Sequence, residues 1–172
     1  MTPDADAAAP EAGRRFRLTL AQIGPVVGDV AGNAERAVAA WEAGRDAGAD
    51  MVALPEMFLA GYQPQDLVLK PAFLAACAGA LEDLAARCAE GPALGVGVPV
   101  ADPGGVSNAY AVLSGGAVRA IFRKHHLPNY GVFDEKRLYH AADPQGPVTV
   151  GPLRLGLMAA IGAGAALVKL AA

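Results

Sequence analysis

What most restricts the fold of this chain is a change of hydrophobic period between residues 16 and 54. Phe16, Leu18 and Leu20 alternate with Arg17 and Thr19, which is the period of a strand. After the loop GPVVGDVAG, Asn33 is placed to cap a helix running to about Ala47. Ala34, Ala37, Val38 and Trp41 form its apolar face and Gly48 supplies the stop. Met51 to Leu54 is then a short apolar run that meets Pro55. Strand, helix, strand is the unit of a parallel sheet, so the chain belongs to the α/β class.

The middle of the chain extends that sheet. Pro71 opens a second helix expected to reach about Ala89, because Phe73, Cys77, Leu81, Leu84 and Cys88 recur at offsets of three and four. Three strand-like runs follow, Ala93 to Val98, Asn108 to Leu113 and Ala117 to Phe122, the last two joined by Ser114-Gly115-Gly116 as a hairpin. A Pro- and Gly-rich stretch, DPQGPVTVGP, leads to one more apolar run from Leu153, and no internal repeat is visible. The expected core is a sheet with two covering helices.

Size and charge set the outer limits. The 172 residues are one domain's worth. A net charge of -3 gives no basic field for a phosphate backbone, so no nucleic-acid partner is expected. Residues 1–15 mix acids with Ala and Pro, lack the apolar core of a secretory signal, and read as a disordered tail. The longest uncharged apolar run, Leu155 to Val168, falls short of the roughly 20 residues that span a bilayer. A soluble, cytoplasmic chain with no membrane partner is therefore expected. Cys77 and Cys88 would lie roughly 16 Å apart on one helix, too far for a disulfide, and should be reduced thiols.

Chemistry in such sheets sits beyond the carboxyl ends of the strands. Glu56 stands there after the second strand and Lys124 after the last strand of the hairpin. If those strands are neighbours, carboxylate and ammonium meet across one pocket mouth, although a charged residue after a strand, taken alone, is usually a solvated loop position. The aperiodic run from Lys124 to Arg137 concentrates ionisable and aromatic groups, as functional loops do. Other signals are poorer. His125, His126 and His140 have no metal-binding spacing, so no metal is expected. Gly95-Val96-Gly97 lacks the later glycine of a dinucleotide loop and suggests close backbone packing, and neither Ser107 nor Ser114 sits in a nucleophile elbow.

Two of these stretches carry a resemblance. LPEMFLAGY at Leu54 to Tyr62, together with RKHHLPNYGVFDEKR at Arg123 to Arg137, resembles the carbon-nitrogen hydrolase (nitrilase) superfamily, and within it the glutaminase domains of glutamine-dependent NAD+ synthetases. AQIGPVVGDVAGN and YQPQDLVLK are similar to the same domains. The resemblance implies a four-layer α-β-β-α sandwich, incomplete here at the C-terminus, and a Glu-Lys-Cys triad that hydrolyses glutamine through a thioester and releases ammonia. Carried over by position, Glu56 matches the general base and Lys124 the cation that steadies the oxyanion. Glu135 matches a second glutamate beside the lysine, and Tyr130 a residue lining the glutamine pocket. The hydrolase domain needs no cofactor. ATP and Mg are implied only for a synthetase domain, which makes NAD+ from deamido-NAD+ with the ammonia, and the full-length family implies a homo-oligomer.

One position departs from the pattern. Where the family reads L-G-x-x-I-C-E-D, this chain reads Leu155-Gly156-Leu157-Met158-Ala159-Ala160-Ile161-Gly162, with Ala160 in place of the nucleophilic cysteine. Cys77 and Cys88 belong to a helix's apolar stripe and do not replace it. The partial hydrolase domain thus spans 16–157, and residues 158–172 read as a non-family tail of the kind a frameshift or truncation leaves. The expectation is a chain that does not hydrolyse glutamine, with an unpaired sheet edge and poor solubility. The alternative is a noncatalytic binding or interaction protein retaining part of the site.

Overall fold

The computed structural model describes residues 15–143, 145–150, 153–159 and 166–171. β1 (Leu18–Leu20), α1 (Val30–Asp46) and β2 (Met51–Ala53) form the expected parallel unit. A 3-10 turn (Gln65–Leu69) leads into α2 (Pro71–Arg87). Then come β3 (Ala93–Asp102), β4 (Gly105–Ser114), β5 (Ala117–Arg123), the single-turn α3 (Glu135–Leu138), β6 (Val148–Val150), β7 (Leu153–Ala159) and β8 (Ala166–Ala171).

The first sheet has the order β1-β2-β3-β4-β5, parallel from β1 to β3 and antiparallel from β3 to β5. β3 and β4 are longer than their apolar runs because a second hairpin, turning at Asp102 and Gly105, pairs them along their whole length. The Pro103-Gly104 turn was the missed signal. Both helices cover one face, where Ala34, Ala37, Trp41, Cys77, Leu81 and Leu84 meet Val52, Leu94, Val96 and Leu113. Met51, Tyr110, Val112 and Phe122 build the other face, on which Val148 of β6 packs. β6, β7 and β8 pair antiparallel in a second sheet. The architecture is mixed α/β, as the strand-helix-strand pattern implied.

Two helix ends differ in detail from the sequence reading. α1 is capped by Asp29, whose Oδ1 accepts from the Gly32 N–H at 3.0 Å. Asn33, the expected cap, is instead fully buried one turn into the helix. Its carboxamide donates to the Val26 and Leu59 carbonyls at 2.8 and 3.2 Å and accepts from the Val26 N–H at 2.8 Å. It staples the 21–28 loop to the segment after β2. α2 stops at Arg87, so Cys88 is the cap residue. Both cysteines are buried free thiols, as the stripe required. Among the described residues, no helix is long and apolar enough to cross a membrane. Residues 1–14 and Ala160 lie outside the described residues, and the described part of 158–172 falls in β7 and β8.

Candidate active site

Glu56 and Lys124 do meet, though not by the route the sequence suggested. β2 and β5 are not neighbours, because β3 and β4 lie between them. After β2 the chain turns sideways over β3. The Leu54 N–H donates to the Gly95 carbonyl at 2.9 Å, the Gly97 N–H to Pro55 at 3.3 Å, and the Leu59 N–H to Gly97 at 3.0 Å. Only glycine fits at 97, since a Cβ there would stand 2.2 Å from the Met57 nitrogen. The close backbone packing expected of Gly95-Val96-Gly97 is therefore at this crossing. Met57 takes a left-handed φ of 53°, a conformation rare outside glycine and concentrated at functional sites.

From the other side, β5 delivers Lys124, whose N–H donates to the Asn108 carbonyl on β4 at 2.8 Å. The Lys124 Nζ donates to Glu56 Oε1 at 2.8 Å and to Glu135 Oε1 at 2.9 Å. Its side chain is only 4% exposed, against 16% for Glu56 and 8% for Glu135. One buried ammonium thus serves two carboxylates. Burial alone would depress the Lys124 ammonium, and the hydrogen bonds and charges of Glu56 and Glu135 more than reverse that, so it is held above its ordinary value. Burial pushes the Glu135 carboxyl up, Lys124 pulls it back, and the Glu56 charge raises it again, leaving it above the usual carboxylate range.

The sequence reading missed Asn108, which is 4% exposed and donates from Nδ2 to Glu56 Oε1 at 2.6 Å. Its only signal was polarity at the start of an otherwise apolar strand. Glu135 Oε2 is buried with no hydrogen-bond partner. Glu135 also lines a small hollow of about 30 Å³, together with Tyr62, Gln63, Gln65, Asn108 and Tyr139. Tyr130 does not line that hollow. It is 56% exposed, stacks edge-on with Phe133, and lines a separate depression with His125, His126, Asn129 and Lys136. The loop from Leu127 to Asp134 bends back through Pro128 and Gly131, which carries Tyr130 outward while α3 returns Glu135 to Lys124.

A second polar cluster lies on the helix-covered face of the same sheet end, where strand alternation puts Ser107 and Arg123 opposite Asn108 and Lys124. Arg123 grips Asp102 through Nε at 2.9 Å and Nη2 at 2.7 Å, holding that carboxyl below its ordinary value. Ser107 Oγ donates to Asp102 Oδ2 at 2.6 Å and lies 3.3 Å from His140 Nε2. Since the His140 N–H donates to the Val106 carbonyl at 3.0 Å, this cluster pins the segment after α3 to the sheet. Ser107 is wholly buried and serves structure. His125 and His126 contact each other edge-on, His125 Nδ1 lies 2.5 Å from the Ala142 carbonyl, and His140 Nε2 lies against Ser107.

A sideways strand exit, a buried lysine and two carboxylates on a nitrilase-type sheet place the chain in a known group. It belongs to the carbon-nitrogen hydrolase family, whose model matches residues 17–168. Within that family it is 57% identical over 143 residues to a glutamine-dependent NAD(+) synthetase from Rhodobacter capsulatus, covering 83% of this chain and 26% of that protein. The crystal structure of a glutamine-dependent NAD(+) synthetase from Cytophaga hutchinsonii superposes with a TM-score of 0.72 at 24% identity, covering 78% of this chain and 23% of the other. An amidase from Nesterenkonia sp. superposes with a TM-score of 0.69 at 22% identity, covering 86% and 56%. Those two likenesses are of fold. The chain spans about a quarter of the length of the curated relatives it matches.

Proposed function

We propose that this chain carries the amide-binding part of a glutamine-hydrolysing site and holds glutamine without turning it over. The observation that carries the reading is the buried Lys124 ammonium fixed between Glu56 and Glu135, with Glu135 lining a small hollow. In this reading Lys124 polarises the carboxamide oxygen and would steady an oxyanion there. Glu56 is the proton acceptor for an attacking thiol and returns that proton to departing ammonia. Glu135, with its unpartnered Oε2, faces the amide group. Tyr130 comes to the ligand only if its loop turns inward.

The thiol is what the reading lacks. Ala160 stands where the family's pattern has cysteine. Cys77 in α2 and Cys88 at its C-cap are buried, which pushes both thiols up to about 11. In a longer relative carrying the cysteine, the released ammonia would feed ATP- and Mg-dependent conversion of deamido-NAD+ to NAD+ in a cytoplasmic homo-oligomer. ATP and Mg belong to that synthetase step, and the hydrolase site uses neither.

Titration calorimetry with glutamine, run alongside an ammonia assay, tests the proposal. Millimolar binding, weakened by Glu135→Gln, with no ammonia above the uncatalysed background is the expected result. Absence of any heat would overturn amide binding, and steady ammonia release would overturn the loss of turnover. A second reading, an interaction protein, is favoured by the β1 edge, where Leu20 is 63% exposed. It predicts self-association indifferent to glutamine.

A further inference from the structure

We infer that Asn108 is the positioning residue of this site, the group that fixes the Glu56 carboxylate against Lys124 and selects which of its two oxygens remains free to work. The inference rests on the reading of Glu56 as a proton-transfer group. Glu56 is carried on a crossing loop rather than on a strand, and Lys124 comes from two strands away. Among the described residues, Asn108 is the one bonded to both. Its main-chain carbonyl accepts the Lys124 N–H at 2.8 Å, and its side chain donates to Glu56 at 2.6 Å. It stands in β4 opposite Pro99 of β3, directly beneath the loop that crosses at Gly97.

Both donors converge on one atom. Lys124 Nζ and Asn108 Nδ2 each donate to Glu56 Oε1, at 2.8 and 2.6 Å. With Oε1 committed twice, the carboxylate is pinned in one rotamer, and Oε2 is the oxygen left for a transferring proton. The chemistry also requires a neutral donor here. An aspartate would set a third carboxylate around one lysine, and glutamine's extra methylene would move the donor away from Glu56 in a position 4% exposed. An asparagine supplies an N–H without a charge and without added volume.

Two measurements test this separately from the glutamine reading. In a 15N–1H spectrum, one side-chain amide proton of Asn108 should be shifted downfield and slow to exchange, and it should return to the free position in Glu56→Ala, which removes the acceptor. An Asn108 signal unchanged by Glu56→Ala would overturn the proposal whether or not glutamine binds, and it needs no substitution at 108. The second measurement is a double-mutant cycle on glutamine affinity. Asn108→Leu, which keeps the branched outline and removes the donor, should weaken binding by roughly tenfold when Glu56 is present and by less than about twofold on the Glu56→Ala background. Equal losses on both backgrounds would show that Asn108 serves only the fold. If the parent chain binds no glutamine, the amide-binding reading fails, and the spectrum alone decides Asn108.

Discussion

At the scale of single residues, the site is a problem in charge balance. Two carboxylates share one ammonium in a buried setting, so the three groups carry a net charge of about -1 when all are ionised. Lys124→Met should leave Glu56 and Glu135 facing each other without a cation, costing about 3–5 kcal/mol near neutral pH, with part recovered on acidification. Glu135→Gln should behave differently, because it leaves a one-to-one pair. The folded-state pKa of Glu135 is raised above its ordinary 4.5. Its contribution to stability is therefore fully present below about 4.5 and lost as pH rises through the raised value. Urea unfolding at about pH 5 and about pH 8 should show the parent losing stability relative to Glu135→Gln as pH rises. A parallel pair of pH profiles would refute that assignment. Glu56, Lys124 and Glu135 were legible in the sequence through motif wording. Asn108 was not, because one asparagine opening a strand looks like any other.

At the scale of elements, periodicity found the helices and most strands, since burial of one face is a local pattern. α1 and α2 bury the stripes that spacing assigned, with Phe73 and Val38 at their margins. It could not tell a cap from a staple at Asn33, because both uses suit an asparagine before an apolar run, and only the packed 21–28 loop decides. The crossing at Gly97 is the element on which the site depends. Gly97→Ala would drive a Cβ into backbone that has nowhere to move, so we expect a loss of at least about 1–3 kcal/mol and displacement of Glu56, read by urea unfolding and by lost glutamine binding. The thiols of α2 give a check on that layer. Cys77 and Cys88 are 0% and 2% exposed, so neither should react with an aromatic disulfide reagent at about pH 8 until urea is added, whereupon both should. Fast labelling of the folded protein would mean that α2 does not pack as described.

At the scale of the whole molecule, the five-stranded sheet ends in β1 on one side and β5 on the other. Among the described residues, β1 pairs with β2 and has no strand beyond it. It is three residues long, and Leu20 at its end is 63% exposed, with Val26 and Val27 about half exposed nearby. Short length limits the hazard of an open edge, but an exposed leucine restores some of it. We expect concentration-dependent self-association in sedimentation velocity, reduced by Leu20→Lys, and a parent that stays monodisperse would refute this. The sequence by itself determined the α/β class, the two helix faces, the family, and three of the charged residues, because each of these is written in local periodicity or in contiguous wording. Only the tertiary structure decided that two strands separate β2 from β5, that the gap is closed by a loop crossing at Gly97, that Asn108 joins the two sides, and that Tyr130 lines a different depression from Glu135. Those facts depend on strand order and on the direction of a loop, and both are set by contacts between residues far apart in the chain, which no local pattern encodes.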